Sequence, residues 1–218
     1  MLVLTSPGTD AYRQADVEVA AALAGQGMVA YENARLFSQV HHLATVDGLT
    51  GIANRRHFFD AGRRELALAR RRGTSLAAVM LDIDHFKKIN DTYGHQVGDD
   101  VIRGVVARLR AESRETDVLG RYGGEEFAVL LPDIGDGAVD AAERLRTAVA
   151  VAPIETAAGP VAVTISVGVA HLAAADTEPD GLLARADESL YLAKQGGRNR
   201  VVVHAGPHPP ATLPAEPA

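Results

Sequence analysis

Three short stretches hold side chains whose types and spacing suit chemistry. In the first, Leu81-Asp82-Ile83-Asp84-His85-Phe86-Lys87-Lys88-Ile89-Asn90-Asp91, an apolar run closes on two aspartates and a helical pattern begins. Carboxylates at a strand end with no cationic side chain next to them in sequence suit a hard divalent cation. Asp82 is favoured as the ligand, because Asp84 also stands where a helix N-cap belongs. The helix start would aim the N–H groups of His85, Phe86 and Lys87 at an anion, which makes a phosphate seat. The second stretch is Arg121-Tyr122-Gly123-Gly124-Glu125-Glu126-Phe127. Its glycines permit positive φ and close approach of a ligand, and two acids follow, although a solvated hairpin tip would read the same way. The third, Lys194-Gln195-Gly196-Gly197-Arg198, sits at a helix end. Its cations either oppose the helix dipole or contact phosphate.

These residues need a scaffold, and the pattern supplies a mixed one. Helices are expected over about 10–45, 54–72, 85–92, 97–113, 137–150 and 179–195. Strands are expected over 1–5, 75–83, 118–122, 127–131, 161–169 and 201–203, with Gly123-Gly124 as a hairpin turn. Strands and helices mixed around a hairpin point to an α+β fold. In the first helix Val29, Leu36 and Leu43 lie seven apart, with Asn33 and Val40 between them. This is a short heptad seam that serves either a two-stranded coiled coil or packing on its own domain. Residues 205–218 hold five of the ten prolines and read as a disordered tail.

Composition narrows the function classes. The 218 residues suffice for one mid-sized domain plus an appendage. A hydrophobic share of 47% against 23% charged excludes wholesale disorder. The formal charge of −6 argues against a general nucleic-acid binder, so a polyanionic substrate would need a local basic cluster or a metal. The absence of cysteine removes disulfides, thiolate metal sites and cysteine nucleophiles. No apolar run is long enough for a membrane span and the start lacks a signal-peptide pattern, so a cytoplasmic location is expected.

Taken together, the stretches resemble the GGDEF family of diguanylate cyclases. Asp47-Gly48-Leu49-Thr50-Gly51 with Asn54-Arg55-Arg56, then Gly94-His95-Gln96-Val97-Gly98-Asp99, and Ala186-Asp187-Glu188 through Tyr191 add to the match. The resemblance covers about 46–203. It implies a mainly antiparallel five-stranded sheet flanked by helices, like class III nucleotidyl cyclases. It also implies condensation of two GTP into cyclic di-GMP with release of two pyrophosphates, by a homodimer using two Mg²⁺ or Mn²⁺ ions per half-site. By the same resemblance Asp82, the carbonyl of Ile83 and Glu125 hold metal. Glu126 is the second signature acid, a candidate for catalysis or metal contact. Asn90 and Asp99 recognise guanine. The main chain at Phe86 and Lys87, with Lys194 and Arg198, takes the triphosphate.

Two further resemblances sit outside that centre. Arg114-Glu115-Thr116-Asp117 matches the family's Arg-x-x-Asp product-inhibition site, with Arg144 as a secondary contact; a helix-end ion pair is the plain alternative. Glu18-Val19-Ala20 through Leu36, with Leu2-Val3-Leu4, is similar to the closing helix and last strand of a GAF sensor domain. The chain therefore divides into 1–45, a strand remnant and dimerisation helix; 46–204, the cyclase domain; and 205–218, the tail. The rivals are a silent domain that binds GTP or cyclic di-GMP as a receptor, and a cyclase for another purine nucleotide. Intact Asp82, Glu125, Lys194 and Arg198 argue against the first, and Asp99 against the second.

Overall fold

The computed structural model describes residues 14–206, apart from the side chains of residues 34–44. The strand expected at 1–5, nearly all of the Pro-rich tail, and the seam side chains Leu36, Val40 and Leu43 fall outside the described residues. The chain forms two units, Met1–Ala44 and Thr45–Ala218. In the first, helix α1 (Gln14–Thr45) leaves Val17, Val19, Leu23, Met28, Val29 and Tyr31 each more than half exposed.

The second unit is built on strand β1 (Leu76–Ile83), all eight residues of which are buried. It lies at the middle of a sheet of order β2-β3-β1-β6-β7, with β2 (Val118–Arg121), β3 (Glu126–Pro132), β6 (Ile165–His171) and β7 (Val201–Val203). All pairs are antiparallel except β6 with β7. A central strand must be apolar on both faces, and alternation along β1 feeds two cores. Ala77, Val79, Leu81 and Ile83 join one core with residues of α3 (Phe86–Tyr93), α4 (His95–Glu112) and α5 (Ala138–Ala150). Leu76, Ala78 and Met80 join the other with α2 (Arg55–Arg72) and α6 (Pro179–Gln195).

Local chemistry fixes the helix ends. The Asn54 carboxamide accepts from the His57 N–H at 3.0 Å, and Gly73 closes α2 at φ 69°. Gly168 on β6 lets α6 approach closely, because a Cβ there would strike the Ala186 carbonyl and the Leu190 backbone. One expected strand is two. The valines at 161 and 163 disguise a break, and a separate hairpin of β4 (Ile154–Thr156) and β5 (Gly159–Val161) precedes β6. Pro160 in β5 lacks an N–H, so it suits a two-stranded ribbon rather than the main sheet.

The loop between β6 and α6 is fastened by Asp176, which is 6% exposed. Arg185 donates to both its carboxylate oxygens at 2.8 and 2.6 Å, and the Ala173 N–H donates at 2.7 Å. Burial alone would raise the Asp176 pKa; the Arg185 fork, the Ala173 N–H and the charge of Arg70 outweigh it and hold it below 3.8. A depressed carboxylate stabilises the fold above its unfolded pKa, and that contribution fades as pH falls through the lower folded value. Asp176→Asn is therefore expected to cost about 2–4 kcal/mol at pH 7 by urea titration, as when one partner of a buried pair is removed. The difference from wild type should shrink below about pH 4, where the wild-type carboxylate also protonates. A constant difference down to pH 2 would refute this role.

Candidate active site

The chemical residues converge at one end of the sheet. The C-terminal end of β1, the N-terminal ends of β3 and β6, the start of α3 and the end of α6 all meet there. The reason is topological: antiparallel neighbours begin where β1 ends, and Asp82 stands opposite Glu126 on β3 and Ser166 on β6.

Asp82 is 7% exposed, and Lys194 of α6 places its Nζ 2.8 Å from Asp82 Oδ2. The sequence showed no cation beside the aspartates; the fold brings one across more than a hundred residues. Burial pushes the Asp82 carboxyl up to about 6, Lys194 opposes that rise, and the charges of Glu125 and Glu126 add to it. Asp82 thus has one cationic partner and feels two further acids. Alternation would have sent Glu125 and Glu126 to opposite faces, yet both act on Asp82. Glu125 precedes β3 in the loop, where its carbonyl accepts from the Ile83 N–H at 3.3 Å.

Asp84 is not a helix cap. Its buried carboxylate accepts from the Thr164 hydroxyl at 2.6 Å, the Ser166 hydroxyl at 2.6 Å and the Asn199 N–H at 3.0 Å. His85 takes the N-cap position of α3 instead, at φ 57°, and no side chain caps the helix. The first-turn N–H groups, those of Phe86 and Lys87 among them, are free to meet an anion.

The Gly123-Gly124 loop works differently from expectation. Neither glycine has positive φ. A Cβ at Gly123 would meet the Glu126 carboxylate and push that flexible side chain aside, whereas Gly124 faces open space. The loop is held by Arg121, whose guanidinium donates to the carbonyl of Gly124 at 2.6 and 3.1 Å and to Asp47 at 3.0 and 3.2 Å. Burial would raise the Asp47 pKa, but the Thr50 hydroxyl and Arg121 lower it overall. Asp47 and Arg121 both belong to motifs visible in the sequence, but residue type alone assigns neither this task. Their spacing of 74 residues left no local signal.

Asn90 and Asp99 come from successive helices, α3 and α4. The Asn90 Oδ1 is buried without a hydrogen-bond partner and lies against Gly98, where a Cβ would displace it. Lys194 thus joins Asp82 directly, and Arg198 follows in an exposed turn with φ 64°. Among the described residues no three acid or histidine side chains come together closely enough to hold a metal ion by themselves.

The Arg114–Asp117 pair lies elsewhere. Asp117 immediately precedes β2 and the Gly123-Gly124 loop follows it, so the four strand residues separate them by about 13 Å. The ion pair that was the plain alternative does not form, and a local turn stands in its place. Asp117 Oδ2 accepts from the Arg114 N–H at 2.8 Å, and Asp117 Oδ1 is buried without a partner. Arg114 is exposed, and Arg144 on α5 lies 4.0 Å from Glu112.

This arrangement matches known proteins. The family model described as "Diguanylate cyclase, GGDEF domain" matches residues 44–200. The chain belongs to the GGDEF family. The response regulator PleD of Caulobacter vibrioides is 45% identical over 163 residues, covering 73% of this chain and 36% of that protein. The diguanylate cyclase DosC of Escherichia coli K12 is 39% identical over 171 residues, 76% of this chain and 36% of that protein. The chain thus spans little more than a third of these GGDEF relatives. The coiled coil and GGDEF domain of DgcB from Caulobacter crescentus, solved with c-di-GMP, superposes with a TM-score of 0.80 at 35% identity, covering 85% of this chain and 98% of that one. The active GGEEF domain of a diguanylate cyclase from Vibrio cholerae gives 0.66 at 32% identity over 71% of this chain and 98% of that one.

Proposed function

We propose that this GGDEF domain condenses two GTP molecules into cyclic di-GMP as a homodimer. The 3′-hydroxyl of one GTP gives up its proton to solvent as its oxygen forms a bond to the α-phosphorus of the other, the bond from that phosphorus to the bridging oxygen breaks, and pyrophosphate leaves; repetition closes the ring. The observation that carries this reading is the buried Asp82, paired with Lys194 and acted on by the charges of Glu125 and Glu126, beside the uncapped start of α3.

The donor set fits a divalent cation. Asp82 feels the negative charges of Glu125 and Glu126 and is paired with only one ammonium, so the site favours an added cation on oxygen ligands, the kind Mg²⁺ or Mn²⁺ prefers. Asp82, the Ile83 carbonyl and Glu125 would hold it, with Glu126 in reach, two ions serving each half-site. Bound there, such ions would polarise the attacking hydroxyl and neutralise the leaving pyrophosphate. The protein's own groups do the rest. The α3 N–H groups at Phe86 and Lys87 seat phosphate oxygens, and Lys194 and Arg198 supply positive charge. The free Asn90 Oδ1 and the Asp99 carboxylate accept from guanine N–H donors that adenine lacks.

One GTP per chain requires two chains to face each other. The exposed apolar side chains of α1 and the coiled coil of DgcB support pairing through this helix. With GTP and Mg²⁺, the chain should release two pyrophosphates per cyclic di-GMP. Turnover per chain should rise with protein concentration until dimers saturate. A linear dinucleotide as the end product, or a specific rate independent of dilution across the dimerisation range, would refute this reading.

A further inference from the structure

Two charged residues outside the roles above close on one turn. Gly197, Arg198 and Asn199 stand in succession at φ 111°, 64° and 45°. Arg198 is not glycine, and left-handed backbone in such a residue persists only where the surroundings impose it, whereas Asn199 adopts it more readily. The surroundings here are specific. The buried Asp84 carboxylate accepts from the Asn199 N–H at 3.0 Å, anchored in turn by Thr164 and Ser166. From α5, the Arg146 guanidinium donates to the Asn199 side-chain oxygen at 2.7 Å. The same guanidinium is set in direction by Glu143 at 2.7 Å and Thr147 at 3.3 Å. Arg198 itself is exposed, and among the described residues its guanidinium has no ion-pair partner.

We infer that Asp84 and Arg146 are positioning residues that lock the Arg198–Asn199 turn so that the Arg198 guanidinium is presented to the outer phosphates of the nucleotide. This rests on the proposed reading of Arg198 as a phosphate contact. Neither residue needs to touch the nucleotide. Asp84 fixes the backbone of the turn from the β1 side, and Arg146 fixes its side chain from α5. The consequence is selective: discrimination between a nucleoside triphosphate and a monophosphate depends on the clamp, while recognition of the base does not.

The test measures affinities of the full chain for GMP and for the unreactive α,β-methylene analogue of GTP by calorimetry. Arg198→Ala should lower the analogue-to-GMP affinity ratio about ten-fold, the scale of a lost charge-assisted contact. Arg146→Ala, a change on the α5 surface, should lower the ratio about three- to ten-fold and add nothing further in the Arg198→Ala background. Asn199→Asp keeps an oxygen acceptor for Arg146 and should retain the wild-type ratio. Asp84→Asn sets an amide among three donors and should lower the ratio at least as far as Arg146→Ala; if that variant does not fold, the Arg146 series decides. An unchanged ratio in Arg146→Ala alongside a lowered one in Arg198→Ala would overturn the clamp, as would additive losses. An unchanged ratio in Arg198→Ala would instead overturn the phosphate reading beneath it.

Discussion

Asp82→Asn is expected to lower turnover about a thousand-fold or more, the size of a lost metal contribution of several kcal/mol to the transition state. The fold should survive. Burial and the charges of Glu125 and Glu126 outweigh Lys194 and raise the Asp82 pKa from 3.8 to about 6, so the folded protein favours the neutral form. A raised carboxylate stabilises the fold below its unfolded pKa, and that advantage is lost as pH rises through the folded value. At pH 7–8 the ionised side chain therefore carries a penalty on the order of 3 kcal/mol in the metal-free protein. A neutral amide removes that penalty, so the variant should melt no lower than metal-free wild type. The rise in melting temperature that Mg²⁺ or Mn²⁺ gives the wild type should be lost as well. Near-wild-type product formation, or an undiminished metal-induced shift, would rule out Asp82 as the metal carboxylate.

Arg114→Ala is expected to raise the cyclic di-GMP concentration needed for half-inhibition about five-fold or more, since a bidentate arginine–guanine contact is worth roughly 1–3 kcal/mol. The GTP Michaelis constant should stay near wild type, because β2 separates this turn from the Gly123-Gly124 loop. Stability should change by less than about 0.5 kcal/mol, because Arg114 is exposed and forms no ion pair with Asp117. Were cyclic di-GMP bound there, the buried and partnerless Asp117 Oδ1 would gain a hydrogen bond from a guanine N–H. Wild-type turnover indifferent to added product, or inhibition that competes with GTP, would leave Arg114 and Asp117 as a local turn and nothing more.

Much of this molecule is written locally. Asn54 and Gly73 bracket α2 through hydrogen bonds and backbone angles set within a few residues, and the unbroken apolar run of β1 marks the central strand. The acids, the glycines and the end of α6 are likewise legible as motifs, because residue type and spacing carry them. The sequence alone was enough to mark Asp82, Glu125, Lys194 and Arg198 as candidates for one chemistry. What it left open is set by contacts between distant segments. Asp84 looked like a cap, because capping is the local use of an aspartate at a helix start. Only the fold supplies Thr164, Ser166 and Asn199 as stronger donors. Lys194 reaches Asp82, Arg121 reaches Asp47 and Arg146 reaches Asn199 only once the sheet is assembled. Hydrogen bonds and ion pairs act over a few ångströms in space. Separations of 53 to 115 residues along the chain therefore leave them unreadable until tertiary packing brings the partners together.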